Sequence, residues 1–192
     1  MSRSVHPIET ESYRILRERI DTSSFPPLTR AVIERVIHAT ADLGYADDLI
    51  CDEEALERGL AALRNDAAIV TDVRMVAAGI TGRDTRCFLR EAKSSDGVTR
   101  SAAAIRMAFD VVGGGAIWVV GCAPTALAEI VALAPAPALV IGLPVGFVGA
   151  VEAKDALRST GMPSVSNTSE KGGSAVAAAT LNALLYVLED QR

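Results

Sequence analysis

Residues 116–143 read AIWVVGCAPTALAEIVALAPAPALVIGL. Two apolar runs, at residues 116–120 and 138–143, flank a segment at 124–133 that has a helical composition and begins with Pro124. Strands that are apolar at every position are buried on both faces, as in parallel sheets. This stretch therefore predicts a strand–helix–strand unit of a parallel sheet.

The same alternation continues on both sides of this unit. Further strands are predicted at residues 67–70, 85–90 and near Val165, and further helices at residues 73–78, 101–112, 151–159 and 174–188. The first third of the chain instead predicts three helices, at residues 9–20, from an N-cap at Thr29 to about Leu43, and at 52–63. The pattern indicates a single α/β domain over residues 1–192, Rossmann-like, with a mostly parallel sheet flanked by helices and a helical N-terminal segment.

Composition narrows the possible functions. The chain has 192 residues, 49% of them hydrophobic and only 4% aromatic, so its core must consist mainly of Ala, Val, Leu and Ile. A net charge of −5 argues against a nucleic-acid partner, which requires a positive surface. Three widely spaced cysteines suit a reducing cytosol better than a disulfide framework or a zinc site.

No targeting or membrane segment is expected. Charged residues precede any apolar run at the N-terminus, which does not fit a signal peptide. The apolar run at residues 131–148 is interrupted by three prolines and two glycines, so a strand followed by a loop explains it better than a membrane helix. We therefore expect a cytoplasmic protein.

The position of a ligand follows from the fold class. Open α/β sheets bind ligands beyond the carboxyl ends of their strands. Thr71 and Asp72 follow one predicted strand, and residues 121–125, 142–149 and 167–174 follow others. We expect the chemistry at these segments.

His38 is the first candidate for proton chemistry, because the only other histidine is His6 near the N-terminus. Imidazole is the side chain that titrates near neutral pH without special tuning. On the predicted helix His38 lies off the apolar face, between Glu34 and Asp42, four residues away on either side. Two interpretations remain: a solvated surface histidine, or an acid that faces a pocket or subunit interface and is kept charged by the carboxylates.

The glycine-rich segments do not predict a nucleotide cofactor. The glycines at residues 142–149 lack the dinucleotide-binding spacing, and those at 113–115 precede a strand instead of following one. Lys171 precedes Gly172 and Gly173 at the start of the last helix, where an anion could bind. An ordinary helix start is the simpler interpretation, and Arg100, before another helix, has the same two interpretations. No cluster has metal-ligand spacing.

Taken together, these segments resemble the precorrin-8X methylmutase family of cobalamin biosynthesis over almost the whole chain. The resemblance is carried by the order and spacing of several short motifs: IE at residues 8–9, ESYRI at 11–15, RVIHAT at 35–40, IVTDVRMV at 69–76, TRSAA at 99–103, GCAPTAL at 121–127, GLPVGFVGA at 142–150, EAKDAL at 152–157 and KGGS at 171–174.

The resemblance implies an isomerase that moves a methyl group from C-11 to C-12 of a corrin precursor without an external cofactor. It implies that His38 protonates a ring nitrogen, and that Ser12 and Arg35 lie at the tetrapyrrole substrate. Arg100 and Lys171 would bind its acetate and propionate carboxylates. Family members are dimeric, so a homodimer is expected, with the polar face of the His38 helix at or near the contact.

Two departures from the family pattern affect carboxylate binding. Cys122 stands where the family commonly has Asn, and cysteine is a much weaker hydrogen-bonding group than an amide. Residues 166–170 lack the arginine that often precedes the glycine segment.

Two other functions are compatible with the sequence. A non-catalytic tetrapyrrole carrier would use the same cationic groups, but it would tolerate the loss of His38. A nucleotide-dependent α/β enzyme would bind NAD or ATP, which the failed fingerprint argues against.

Overall fold

A computed structural model describes residues 6–191. Its sheet has five strands in the order β1-β5-β4-β3-β2. The strands are β1 (Leu49–Cys51), β2 (Ile69–Thr71), β3 (Ile117–Val120), β4 (Leu139–Gly142) and β5 (Ser164–Asn167). Strands β2 to β5 are parallel, and β1 pairs antiparallel with β5 at one edge. The predicted fold class, a mostly parallel sheet flanked by helices, is confirmed.

Helices cover both faces of the sheet. They are α1 (Pro7–Arg19), α2 (Pro27–Thr40), α3 (Tyr45–Asp48), α4 (Glu53–Arg64), α5 (Arg74–Gly79), α6 (Arg100–Val112), α7 (Pro124–Leu133), α8 (Ala150–Ser159) and α9 (Ser174–Asp190). In the part of the chain that the structure describes, no helix is long and apolar enough to cross a membrane.

Alternate residues of the central strands supply two separate cores. Ile117 and Val119 of β3 pack with α2, α4 and α9, whereas Trp118 and Val120 pack with α6, α7 and α8. All four side chains are at most 1% exposed. The parallel strands follow each other across the sheet in chain order, and the connecting helices α6, α7 and α8 share one face. The other face is covered by α2, α4 and α9, together with α5, whose Val76 packs in the same core.

One predicted strand is wrong and one observed strand was not predicted. Residues 85–90 do not form a strand, although Arg86 makes an isolated bridge to Val70 at the edge of the sheet. The three consecutive apolar residues at 87–89 imitate a strand, but only Arg86 pairs with the sheet. The strand that was not predicted is β1, which has three residues, of which only Leu49 is buried.

The predicted ends of α2 are also wrong. The helix begins at Pro27, not after an N-cap at Thr29, since proline suits the first turn of a helix. Thr29 lies inside that turn, where its N–H and hydroxyl donate to the carboxylate of Glu53, at 2.8 and 2.7 Å. The helix ends at Thr40 because Ala41 adopts a left-handed conformation with φ of 56°, so Leu43 lies beyond it.

Candidate active site

His38 is half-buried near the C-terminal end of α2 and contacts α1. Its Nδ1 lies 2.8 Å from the Ser12 hydroxyl oxygen. The ring also stacks on Tyr13, with the ring centroids 5.2 Å apart and the planes only 10° from parallel. Two consecutive residues of α1 therefore fix both the position and the tilt of the imidazole.

Ion pairs hold α1 against α2 on either side of this contact. Arg17 donates to the Glu34 carboxylate at 2.7 Å, and the Thr22 hydroxyl donates to the same group at 2.6 Å. Glu34 is only 4% exposed. Burial opposes its charged form, but the hydrogen bonds from Arg17 and Thr22 outweigh burial and lower the pKa of this carboxyl. Glu34 thus serves the attachment of α1.

Arg35 makes a second link between the helices. Its Nη1 donates to Glu9 of α1 at 2.9 Å and its Nη2 donates to the Tyr186 hydroxyl of α9 at 3.1 Å. The guanidinium also lies over the Tyr186 ring, 4.6 Å from its centroid. Arg35 therefore joins three helices, and only 16% of its side chain is exposed.

The predicted residues Ser12 and His38 line the same cavity, which is small. Its volume is about 110 Å³, and Ile15, Leu16 and Ile37 provide part of its apolar wall. Ala41 and Leu43 of the turn after α2 close one side of it. The arrangement provides a titratable group in a partly apolar depression, which is suited to proton transfer.

A more open cavity, of about 490 Å³, lies on the other side of that turn. Thr40 and Asp42 of the turn line it, together with Met75 and residues 171–176. A still larger cavity of about 670 Å³ is lined by Ile69 and Arg86, at the amino end of β2. The segments expected to bind a ligand follow the carboxyl ends of the strands, so this cavity lies at the other end of the strands.

Lys171 lies beside the turn that follows α2. Its Nζ donates to Asp42 at 2.7 Å and lies 5.5 Å from the centroid of the Tyr45 ring. Burial, with the nearby charges of Asp42 and Asp48, raises the pKa of the Tyr45 phenol to about 12. Both carboxylates that flank His38 in sequence, Glu34 and Asp42, thus bind other cations.

Residues 168–173, here called the glycine loop, are held by two buried charges that sequence reasoning missed. Asp48 accepts hydrogen bonds from the backbone N–H and the hydroxyl of both Thr168 and Ser169, at 2.6 to 3.0 Å. Lys154, which has no exposed surface, donates to the carbonyl oxygens of Ser169 and Lys171. The loop that carries Lys171 is therefore fixed by two charged side chains.

Thr71 is the last residue of β2 and Asp72 follows it, and both are buried, at 2% and 1% exposure. The Asp72 carboxylate accepts N–H groups of Gly121, Cys122 and Ala123 at 2.8 to 3.1 Å. Burial raises the pKa of Asp72, and these donors pull it in the opposite direction. Asp72 holds the loop between β3 and α7 in place.

Arg100 is exposed at the first position of α6. The helix is capped by Thr99, whose hydroxyl also lies 2.8 Å from that of Thr125 on α7. Arg100 therefore starts its helix beside the loop that Asp72 holds. Among residues 6–191, no group of three or more His, Cys, Asp and Glu side chains is placed to hold a metal ion.

Comparison with known proteins identifies the family. A family model described as precorrin-8X methylmutase matches residues 7–187. The chain belongs to this family. It is 37% identical to the cobalt-precorrin-8 methylmutase of Methanocaldococcus jannaschii, over 93% of this chain and 88% of the relative. It is 39% identical to the precorrin-8X methylmutase of Pseudomonas aeruginosa, over 92% and 93%.

Solved structures agree with this family membership. The crystal structure of the precorrin-8X methylmutase from Thermus thermophilus superimposes with a TM-score of 0.87 at 36% identity, covering 96% of both chains. This chain is thus a methylmutase, an isomerase of cobalamin biosynthesis that transfers a methyl group within one molecule. These matches do not favour a non-catalytic carrier.

Proposed function

We propose that the protein converts precorrin-8X or cobalt-precorrin-8 to hydrogenobyrinic or cobyrinic acid, with His38 as the acid. The observation that carries this proposal is the 2.8 Å contact between His38 Nδ1 and the Ser12 hydroxyl at the wall of a cavity. A hydrogen bond at one ring nitrogen selects the tautomer and orientation of the imidazole. The relatives named above act, by their names, on these two corrin precursors.

In the proposed reaction, His38 gives a proton to a pyrrole-derived ring nitrogen. The positive charge withdraws electrons from the conjugated system, which eases migration of the methyl group. The bond from the methyl carbon to C-11 breaks as its bond to C-12 forms, and the proton then returns to His38. The substrate gains and loses no atoms or electrons overall, as an isomerisation requires.

Substrate carboxylates need cationic partners, and we propose Lys171 and Arg100 for this role. The Lys171 ammonium has three N–H donors, of which Asp42 takes one, and 47% of its side chain is exposed. Arg100 is exposed as well. Arg35 is mostly covered, so its contribution to the substrate site would come through the position of α1 and α2.

We further propose that the active form is a homodimer. A cavity of about 110 Å³ at His38 is well below the ~300 Å³ that even a small enclosed ligand site needs. A corrin macrocycle would extend far beyond it. A second copy of the chain, related by two-fold symmetry and lying near the polar face of α2, would supply the missing walls.

Two smaller proposals concern the whole chain. All three cysteines, Cys51, Cys87 and Cys122, are free thiols, which supports a reducing compartment, the cytoplasm. One continuous five-stranded sheet supports a single domain over residues 1–192.

The test is a visible-absorption time course of the protein with precorrin-8X, because the methyl shift changes the conjugated system. We expect rapid conversion by the wild type and none by His38→Ala, which should still bind the substrate. His6→Ala is the matched control and should turn over normally. Stoichiometric binding without conversion by the wild type would overturn the proposal in favour of a carrier.

A further inference from the structure

Lys154 is the most deeply buried cation described in the protein, and the proposed chemistry does not use it. It projects from α8 toward the glycine loop, with no exposed surface. Its ammonium donates to the carbonyl oxygen of Ser169 at 2.8 Å and to that of Lys171 at 2.7 Å. Burying a charge is costly unless it is well paired, so these two bonds are what make the position tolerable.

The two accepting carbonyls lie in the segment that presents Lys171. The same segment is also held by Asp48, whose pKa falls to about 2 because hydrogen bonds from Thr168, Ser169 and Asn167 outweigh the effect of burial. A cation and an anion thus hold the glycine loop from two different helices, α8 and α3.

The end of the glycine loop, at Gly172 and Gly173, packs tightly against the backbone at Leu143. Gly172 has a φ of +151°, and a Cβ atom there would lie 2.3 Å from the carbonyl oxygen of Leu143. The N–H of Gly173 donates to that same oxygen at 2.9 Å. Lys171 therefore lies between Ser169 and the tightly packed Gly172. Because Gly172 cannot move to compensate, a displacement of Ser169 would change the position of Lys171.

We propose that Lys154 is a positioning residue, whose charge holds the glycine loop so that the Lys171 ammonium meets a carboxylate of the substrate. This inference rests on the proposed function of the site, since it assigns Lys171 to a substrate carboxylate. It predicts that loss of the Lys154 charge weakens substrate binding and leaves the proton transfer at His38 intact.

The surroundings of Lys154 make its charge sensitive to pH. Burial lowers its pKa to about 8; the charges of Asp48 and Glu170 favour the ammonium and that of Arg158 opposes it. Above that pH the neutral amine still reaches the two carbonyls, but it loses the charge-assisted part of both bonds, which is roughly half their strength. Substrate binding should therefore weaken as pH rises through about 8.

The experiment measures the Kd of precorrin-8X by absorption titration in the His38→Ala background, where no turnover interferes. Lys154→Met keeps the side-chain length and removes the ammonium. We expect a Kd about tenfold higher at pH 7, equivalent to about 1.4 kcal/mol. The Lys154→Met variant should also lack the rise in Kd between pH 7 and 9 that the background protein shows.

A double-mutant cycle separates positioning from general damage. If Lys154 acts through Lys171, then Lys154→Met should add little to the effect of Lys171→Gln on Kd. Lys93→Met, at an exposed lysine before α6, is the matched control and should leave Kd unchanged. Equal Kd values for Lys154→Met and the background, or fully additive effects, would overturn the proposal.

Two further outcomes are distinguishable. If Lys154→Met does not fold, the pH titration of the background protein decides, because a Kd that stays constant from pH 7 to 9 would overturn the proposal. If the wild type binds precorrin-8X without converting it, the proposed function fails, while the change in Kd still tests the role of Lys154.

Discussion

Ser12 and His38 come from different helices, 26 residues apart in sequence, and their side chains meet at 2.8 Å. The hydroxyl can donate to the ring nitrogen or accept from it, and so accommodates both a neutral and a charged imidazole. A partner of this kind suits a residue that gives up a proton and takes it back within one turnover.

Removing this partner should slow the reaction. We expect Ser12→Ala to lower kcat by about tenfold, the equivalent of about 1.4 kcal/mol in the barrier, with a small change in KM. The absorption time course measures both constants. Ser94→Ala, at an exposed serine before α6, is the control. An unchanged kcat in Ser12→Ala would show that the hydroxyl does not orient His38.

The ion pair between Glu9 and Arg35 should stabilise the attachment of α1. Both side chains are only 16% exposed, so solvent screens their attraction weakly. We expect Glu9→Gln to lower the free energy of unfolding by about 1 kcal/mol in urea. Glu11→Gln breaks an exposed pair with Arg14 on the same helix and should change nothing measurable. Equal effects of the two substitutions would contradict this reasoning.

Asp48 should make stability depend on acid pH. Its pKa is about 2 in the folded protein and 3.8 is its ordinary value, so its contribution is fully present above pH 3.8. That contribution, about 2 kcal/mol, is lost as pH falls from 3.8 toward 2. The difference in unfolding free energy between wild type and Asp48→Asn should therefore shrink over this range, as measured by urea unfolding.

Asp47 provides the control for that titration, because it is the exposed neighbour of Asp48. The difference between wild type and Asp47→Asn should be small, because the exposed Asp47 side chain does not hold the glycine loop. If the Asp48→Asn difference is also constant between pH 4 and pH 2, the carboxylate does not hold the glycine loop as a charged group.

Gly172 should resist substitution more than another glycine with positive φ. Gly172→Ala adds a clash with the Leu143 carbonyl to the backbone strain, whereas an added Cβ at Gly97 meets nothing within 4 Å. We expect Gly172→Ala to cost about 2 kcal/mol more than Gly97→Ala in urea unfolding. Equal decreases in the free energy of unfolding at the two sites would show that the glycine loop moves to accommodate the alanine side chain.

The sequence predicts those parts of the fold that depend on local patterns. Strands β3 and β4 are found because every residue in them is buried, which gives uninterrupted apolar runs. Strand β1 is missed because its antiparallel pairing with β5 depends on residues more than a hundred positions away. Periodicity carries no information about such pairing.

In the candidate site, too, local patterns reveal some residues, and contacts between distant parts of the sequence hide others. His38 can be selected because histidine is scarce, and the family resemblance adds Ser12, which the structure places beside it. Asp48 binds residues about 120 positions later, which no local pattern shows. Lys154 did leave a signal: it lies four residues after Ala150 and three before Leu157, in the apolar stripe of α8. A lysine in such a stripe indicates a buried cation with a partner elsewhere.

The packing of α2 against α9 also sets the order of events during synthesis. His38 lies within the first 40 residues, yet its neighbour Val36 shares a core with Leu181 and Leu184 of α9, about 145 residues later in the sequence. Because a domain folds as a unit and contacts distant in sequence form late, the nascent chain carries an unsupported α2 for most of its translation. We therefore expect His38 to reach its native surroundings only once α9 has been made, so a polypeptide that stops before α9 should be inactive even when it contains every residue of the His38 cavity.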